Sequence, residues 1–173
     1  VKKEIIRIVP GLYCLAKEFR RSELHPFVVA GMLRPSSHIS LESALSFHGL
    51  IPEAVYQVSS VTIERSKTFH SPLGLFSFHR VPVKTLHAGV KAIELGRNTW
   101  AFMADPFRAI ADLVYLRKSV SWKEDGMEFL TESMRIDLDD LCQLSLENLE
   151  AVIDVFSNKR TQDYLNGLRM EIF

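Results

Sequence analysis

The stretch from Ser36 to Glu53, Ser-Ser-His-Ile-Ser-Leu-Glu-Ser-Ala-Leu-Ser-Phe-His-Gly-Leu-Ile-Pro-Glu, spells out both ends of a short helix and so constrains how the chain on either side is laid down. Ser40 stands where an N-cap belongs, and Glu42 puts a negative charge at the positive end of the helix dipole. Gly49 stops the helix, and Pro52 turns the chain toward a strand. Leu41, Ala44, Leu45 and His48 recur at i, i+3, i+4 and i+7, a narrow stripe for a core, while Glu42 and Ser46 look outward. A helix of this kind lies on a sheet. Caps and apolar spacing explain all but His38 and His48, for which hydrogen-bonded packing is a simpler account than ligation. Ser40, Ser43 and His48 make no nucleophile site, because Ser40 and His48 would stand roughly 12 Å apart along the helix.

Upstream, Val1 to Leu15 reads as two strands around a Pro10-Gly11 bend, with Ile6 and Ile8 on one face. The chain starts without methionine and inside a strand, so further residues are expected before Val1. Arg20 and Arg21 sit in a polar link, and His25 to Leu33 looks helical with Pro26 in its first turn. Downstream, Val55 to Glu64 alternates as a strand, and Phe69 to Phe78 carries a Ser71-Pro72-Leu73-Gly74 turn between β-prone runs. Lys91 to Met103 repeats the hairpin pattern around Gly96-Arg97-Asn98, with Trp100 and Phe102 as the aromatic side chains to be buried. A small antiparallel sheet is implied.

Asp105-Pro106 opens the best helix in the chain, an N-cap followed by proline at the first helical position. Phe107, Ile110, Ala111, Val114 and Tyr115 keep helical spacing, and Arg117-Lys118 lie at the negative end of the dipole. Asp112 falls in this apolar region and needs a partner, for which a structural hydrogen bond is favoured over a catalytic base. From Gly126 onward the chain reads as helical: Met127 to Met134, Leu138 to Cys142, Leu146 to Ser157 and Gln162 to Glu171. Ser145 and Thr161 are the expected N-caps, and Leu146, Leu149, Val152, Ile153 and Phe156 form one apolar face. The expected class is therefore α+β: an N-terminal β-hairpin over residues 1–18, then a small sheet packed with helices over 19–173, of which 126–173 are helical.

The 173 residues carry 21 Lys and Arg against 21 Asp and Glu, a balance that argues against a generic nucleic-acid coat. The distribution is uneven: Val1 to Trp100 holds 13 basic against 7 acidic residues, and Ala101 to Phe173 holds 8 against 14. The first part could face phosphate and the second would be repelled by it. No run approaches the roughly eighteen apolar residues of a membrane span, and no leader pattern is present, which leads to a cytoplasmic expectation. Cys14 and Cys142 lie far apart, suggesting neither a zinc site nor a disulfide.

The usual catalytic signatures are missing. There is no P-loop, His-Glu-x-x-His, Cys-x-x-Cys or Gly-x-Ser-x-Gly. Glu64 with Lys67 and Asp105 is the nearest approach to a nuclease-like grouping, and its spacing is poor. His70 with His79-Arg80 could hold an anion but is weak as a motif. An enzyme would need a pocket gathering Asp112, His48 and His79. No cofactor or metal is expected.

Taken in order, Arg7-Ile8-Val9-Pro10-Gly11-Leu12-Tyr13, Ile39-Ser40-Leu41-Glu42-Ser43-Ala44-Leu45-Ser46-Phe47-His48-Gly49-Leu50-Ile51, Thr62-Ile63-Glu64-Arg65-Ser66-Lys67 and Ala104-Asp105-Pro106-Phe107-Arg108-Ala109-Ile110-Ala111-Asp112-Leu113 form a series. It resembles the AbiEi family, the antitoxins of type IV toxin–antitoxin systems of the abortive-infection type, which are winged-helix transcriptional repressors with a larger C-terminal domain. The likeness covers roughly Val1 to Lys118, and the final acidic helices match only in character.

The resemblance implies a bacterial, cytoplasmic, non-enzymatic protein that represses its own operon by binding inverted repeats in promoter DNA. It also implies a counterpart toxin of the nucleotidyltransferase type, opposed without a stable complex. The family's recognition helix would precede Val1, leaving a wing remnant here. Lys2, Lys3 and Arg7 would then touch backbone phosphate from the wing, and Arg20, Arg21, Arg65, Lys67 and Arg80 would form a second basic surface. The family often has lysine where Arg108 stands, which reads as a conservative change at an exposed helix position. Ser40, Glu42, Ser43, His48, Gly49, Asp105 and Asp112 are the expected structural motif residues. The competing reading is a protein-interaction module whose acidic C-terminal helices bind a partner, with no DNA role.

Overall fold

The computed structural model describes residues 4–53, 55–96 and 98–173 and has the α+β class expected. The expectations for Lys2 and Lys3, and for Arg97 in its turn, lie outside the described residues. Ile5–Val9 (β1) and Leu12–Leu15 (β2) pair antiparallel, with a register irregularity between Arg7 and Val9. Gly11 at φ +87 makes the bend, a conformation that costs an L side chain and costs glycine little. β1 lies against β5 (Lys67–Ser71), and Ile8 is buried in the same core as the larger sheet.

That larger sheet has six strands. Besides β5 it contains Ser37–Ile39 (β3), Gln57–Thr62 (β4), Gly74–Arg80 (β6), Val90–Glu94 (β7) and Trp100–Ala104 (β8), in the order β5-β6-β4-β3-β8-β7. The β5–β6 and β7–β8 hairpins form where the turn residues place them, and β3 pairs antiparallel with β4. The sheet is nevertheless mixed, because β4 runs parallel to β6 and β3 parallel to β8. Hairpins are local and legible in turn chemistry. Parallel neighbours are joined by long connections, so no local residue pattern announces them.

The expectation for Trp100 and Phe102 is corrected. Along β8 the buried residues are Ala101, Met103 and Ala104, whereas Trp100 and Phe102 are 56% and 53% exposed. Successive side chains of a strand point to opposite faces, and the smaller set faces the core here.

Pro26–Leu33 (α1) packs along β3, β4 and β8, while Leu41–Phe47 (α2) packs on β4 and against Pro106–Leu116 (α3). α3 is the centre of the molecule: it touches β8, α2, Leu146–Ile153 (α6) and Lys159–Ile172 (α7), and every residue from Phe107 to Val114 is buried. Short helices Trp122–Asp125 (α4) and Leu138–Cys142 (α5), with a π-helical turn at Phe129–Ser133, complete the C-terminal segment. α7 begins one turn earlier than expected. Asn158, not Thr161, is its N-cap, accepting from the Thr161 N–H at 3.0 Å, and Thr161 is buried. Among the described residues no helix is long and apolar enough to cross a membrane.

Candidate functional site

The α2 stretch ends as its residues predict. Gly49 sits at φ +75, its N–H donates to Ser46 O at 3.0 Å, and the Leu50 N–H donates to Leu45 O at 2.9 Å. These two bonds together are a Schellman closure, which only a residue tolerant of positive φ permits cheaply. Glu42, in the first turn, pairs with Arg117 at 2.8 Å across to α3. Both side chains are partly solvated, so the pair contributes little on its own.

Ser40 is corrected. It occupies the N-cap position but makes no cap bond; Leu41 adopts φ +56, and the Ser40 hydroxyl donates to Asp112 Oδ2 at 2.7 Å. Ser43 has a role that spacing did not reveal. Its hydroxyl donates to Gln57 O at 3.0 Å and accepts from the Ser59 N–H at 2.8 Å, which fastens α2 to β4.

Around Asp112 the chain builds a fully buried charge cluster. Arg108, one turn earlier on α3, donates from Nε to Asp112 Oδ1 at 3.1 Å and Oδ2 at 3.3 Å. Its Nη1 donates to Ala88 O at 2.7 Å, while Nη2 has no hydrogen-bond partner among the described residues. His38 Nε2 reaches Asp112 Oδ2 at 3.4 Å. Burial alone would push the Asp112 carboxyl up, but the Arg108 charge and the bonds from His38 and Ser40 hold it below the usual carboxylate range.

The expectation of an exposed Arg108 is corrected: its side chain has no solvent exposure. The reason is that α3 is enclosed on all sides, so a helix read as amphipathic has no wet face along its middle. The i,i+4 spacing of Arg108 and Asp112 was the available signal, since an acid in an apolar run finds its base most economically one turn away.

Asp105 caps α3 by accepting from the Arg108 N–H at 2.9 Å, and burial raises its carboxyl against that bond. Gly89 lies beneath the cluster: a Cβ there would come 2.8 Å from Arg108 Cβ and 2.7 Å from Val152 Cγ2. The backbone of this loop can approach α3 only as glycine.

The cluster does not have the connectivity of a nucleophile site. In a serine triad the imidazole bridges hydroxyl and carboxylate. Here both Ser40 and His38 bond the carboxylate, and the serine gives its hydrogen to Asp112. The grouping of Asp112, His48 and His79 does not assemble. His48 donates to Ala104 O at 2.9 Å, and His79 lies 3.3 Å from Ser77 Oγ, with burial pushing its pKa down against the opposing charge of Glu42. Glu64, Lys67 and Asp105 are likewise apart in function: Glu64 bonds Arg34 and Ser36, and Asp105 is a buried cap. Among the described residues no group of three His, Cys, Asp or Glu is placed to hold a metal ion, and Cys14 and Cys142 are free thiols.

The basic residues divide into groups. Arg7 is exposed on β1. Arg20 is partly committed, donating from Nε to Leu15 O at 2.6 Å, and with exposed Arg21 it lines an open cleft beside His25 and Leu95. Arg65, Lys67 and Arg80 come together where the β4–β5 connection meets the end of β6. The Arg80 N–H donates to Ser66 Oγ at 2.9 Å, its Nε donates to Ile63 O at 3.3 Å, and Lys67 Nζ lies 4.6 Å from the Phe69 ring centroid. Among the described residues none of these six cations pairs with a carboxylate.

No protein-family model matches this chain, and no curated protein does.

Proposed function

We propose that the chain is part of an AbiEi-type antitoxin that represses its own operon by binding promoter DNA. The observation that carries the reading is the convergence of Arg65, Lys67 and Arg80, solvated and without carboxylate partners among the described residues, at one end of β4, β5 and β6. Such cations suit a phosphate backbone, which they position without reading sequence. The resemblance supplies the finer identity. Two of its longest segments, Ile39–Ile51 and Ala104–Leu113, are the ones that the buried Ser40–Asp112–Arg108 cluster joins. On this reading the partner toxin is opposed without a lasting complex, and no residue is catalytic.

The test is fluorescence anisotropy of the chain on its own upstream promoter DNA over a salt series, with an R65A/K67A/R80A variant in parallel. Three lost phosphate contacts should flatten the log–log salt slope by about 2–3. An unchanged slope removes these residues from the interface. A persistent complex with the toxin by size exclusion, with no promoter binding, would favour the interaction-module reading instead.

A further inference from the structure

Beside the three clustered cations the structure contains an open cleft of about 550 Å³ that the proposed repressor role does not account for. Its size lies within the range of sites for small organic ligands. Arg80 and Lys84 line it from the end of β6 and the segment beyond. Tyr115, near the C-terminus of α3, and Ser157 and Asn158, just before α7, line it from the helical side. Ile63 and Val83 add apolar surface.

The polar groups left over in this cleft are mainly donors. Among the described residues the Arg80 side chain bonds through its Nε alone, to Ile63 O, which leaves both Nη groups for a ligand. The Lys84 backbone N–H donates to Val155 O at 3.1 Å, which anchors the segment, and its exposed ammonium pairs with no carboxylate among the described residues. The Asn158 side-chain oxygen is taken by the Thr161 N–H at 3.0 Å, so what it can still offer is the NH2 group. Among the described residues no carboxylate lines the cleft.

The helix end that carries the aromatic ring is held from behind. Arg160 donates from Nη2 to Tyr115 O at 3.2 Å and from Nη1 to Arg117 O at 3.3 Å and to Val120 O, which fixes the end of α3. The Tyr115 ring lies 6.0 Å from Phe156, at 36° to its plane.

Two cations without carboxylate partners among the described residues, with neutral donors, an aromatic ring and aliphatic side chains beside them, suit an anion with a planar body. Arginine and lysine together favour phosphate, and an aromatic ring favours a base that can stack. We propose that this cleft binds one nucleotide, its phosphate on Arg80 and Lys84 and its base against Tyr115. The proposal shares only Arg80 with the repressor reading and otherwise stands on residues which that reading does not use. The nucleotide is either free or the phosphorylated end of a strand.

The test is calorimetric titration of the full chain with ADP and, separately, with a short single-stranded oligonucleotide with and without a 5′ phosphate. Saturable binding of ADP assigns a free nucleotide, and binding of only the phosphorylated strand assigns a strand end. Lys84→Ala should weaken that binding at least tenfold, Tyr115→Leu should weaken it similarly, and Lys123→Ala, at an exposed position on α4 outside the cleft lining, should leave it unchanged. Thermal melts confirm that each variant is folded. Because Tyr115 contributes to packing, Lys84→Ala, at an exposed position, decides the matter. Absence of saturable binding by all probes, or binding indifferent to Lys84→Ala, overturns the proposal. Promoter duplex binding on the same preparations separates the two readings. Duplex bound with ADP and both oligonucleotides silent removes the cleft alone, and ADP bound with the duplex silent removes the repressor alone.

Discussion

Replacing Arg108 by methionine keeps most of the side chain's volume and removes its charge from the centre of α3. Asp112 would then retain the Ser40 hydroxyl at 2.7 Å and His38 at 3.4 Å but lose both Nε contacts, and Ala88 O would lose its donor at 2.7 Å. Breaking a buried ion pair by removing one partner costs about 3–5 kcal/mol, since the remaining charge stays desolvated. For a chain of this length, at roughly 2–4 °C per kcal/mol, the melting temperature should fall by about 6–20 °C.

The loss should depend on pH in a definite sense. A carboxyl held below its unfolded value, about 3.9, contributes stability that is full above that value and is lost as pH falls through the folded pKa. Arg108 is the principal group opposing burial at Asp112. The gap between wild type and R108M should therefore narrow as pH falls below about 4. Replacing both residues, as R108M/D112L, removes the stranded charge and should be less destabilised than R108M by at least about 1 kcal/mol, since apolar groups often replace buried ion pairs at small cost. Urea unfolding at pH 7 and pH 3 measures all three quantities. A loss below about 1 kcal/mol for R108M, a gap independent of pH, or additive costs in the double variant would refute the reasoning.

Two further expectations concern packing at the helices. In Gly167→Ala the added carbon would lie 2.2 Å from the Trp122 ring. Alanine's better helix propensity should be outweighed, for a net loss of about 1–3 kcal/mol accompanied by a changed near-ultraviolet tryptophan signal. A substitution that leaves both unchanged would show that Trp122 moves aside freely. Ser43→Ala should strip the Ser59 N–H and Gln57 O of their side-chain partner, costing about 1–3 kcal/mol and speeding hydrogen exchange at the Ser59 amide. Unchanged exchange there would mean that α2 is held to β4 by apolar contact alone.

The residues that were legible are those whose role is completed within one turn or one hairpin. Gly49, Asp105, the Ser71–Gly74 turn and the Pro10-Gly11 bend each satisfy a backbone requirement set by their neighbours in sequence, and each does so in the fold. Ser40 shows where this reasoning stops. The residue type and position of an N-cap were present, yet a carboxylate 72 residues away in sequence claimed the hydroxyl. The need of Asp112 for a partner was evident from its apolar surroundings. That the partners would be Arg108, Ser40 and His38 depended on α3 being enclosed by a sheet strand and three helices.

The same division separates the cations. Composition showed that the first hundred residues are basic, but whether Arg20, Arg65, Lys67 and Arg80 face one ligand depends on how the strands are paired and what each side chain bonds. The β5–β6 hairpin, with Lys67 opposite Phe78, brings Arg65, Lys67 and Arg80 to one end of the sheet, while Arg20 stays bonded to the β2 carbonyl of Leu15. Helix ends, turns and the α+β class follow from local chemistry, because backbone hydrogen bonds must be met close to where the chain bends. The parallel strand neighbours, the buried arginine and the cleft between β6 and α7 follow only from long-range packing, because each exists only once segments far apart in sequence exclude water together.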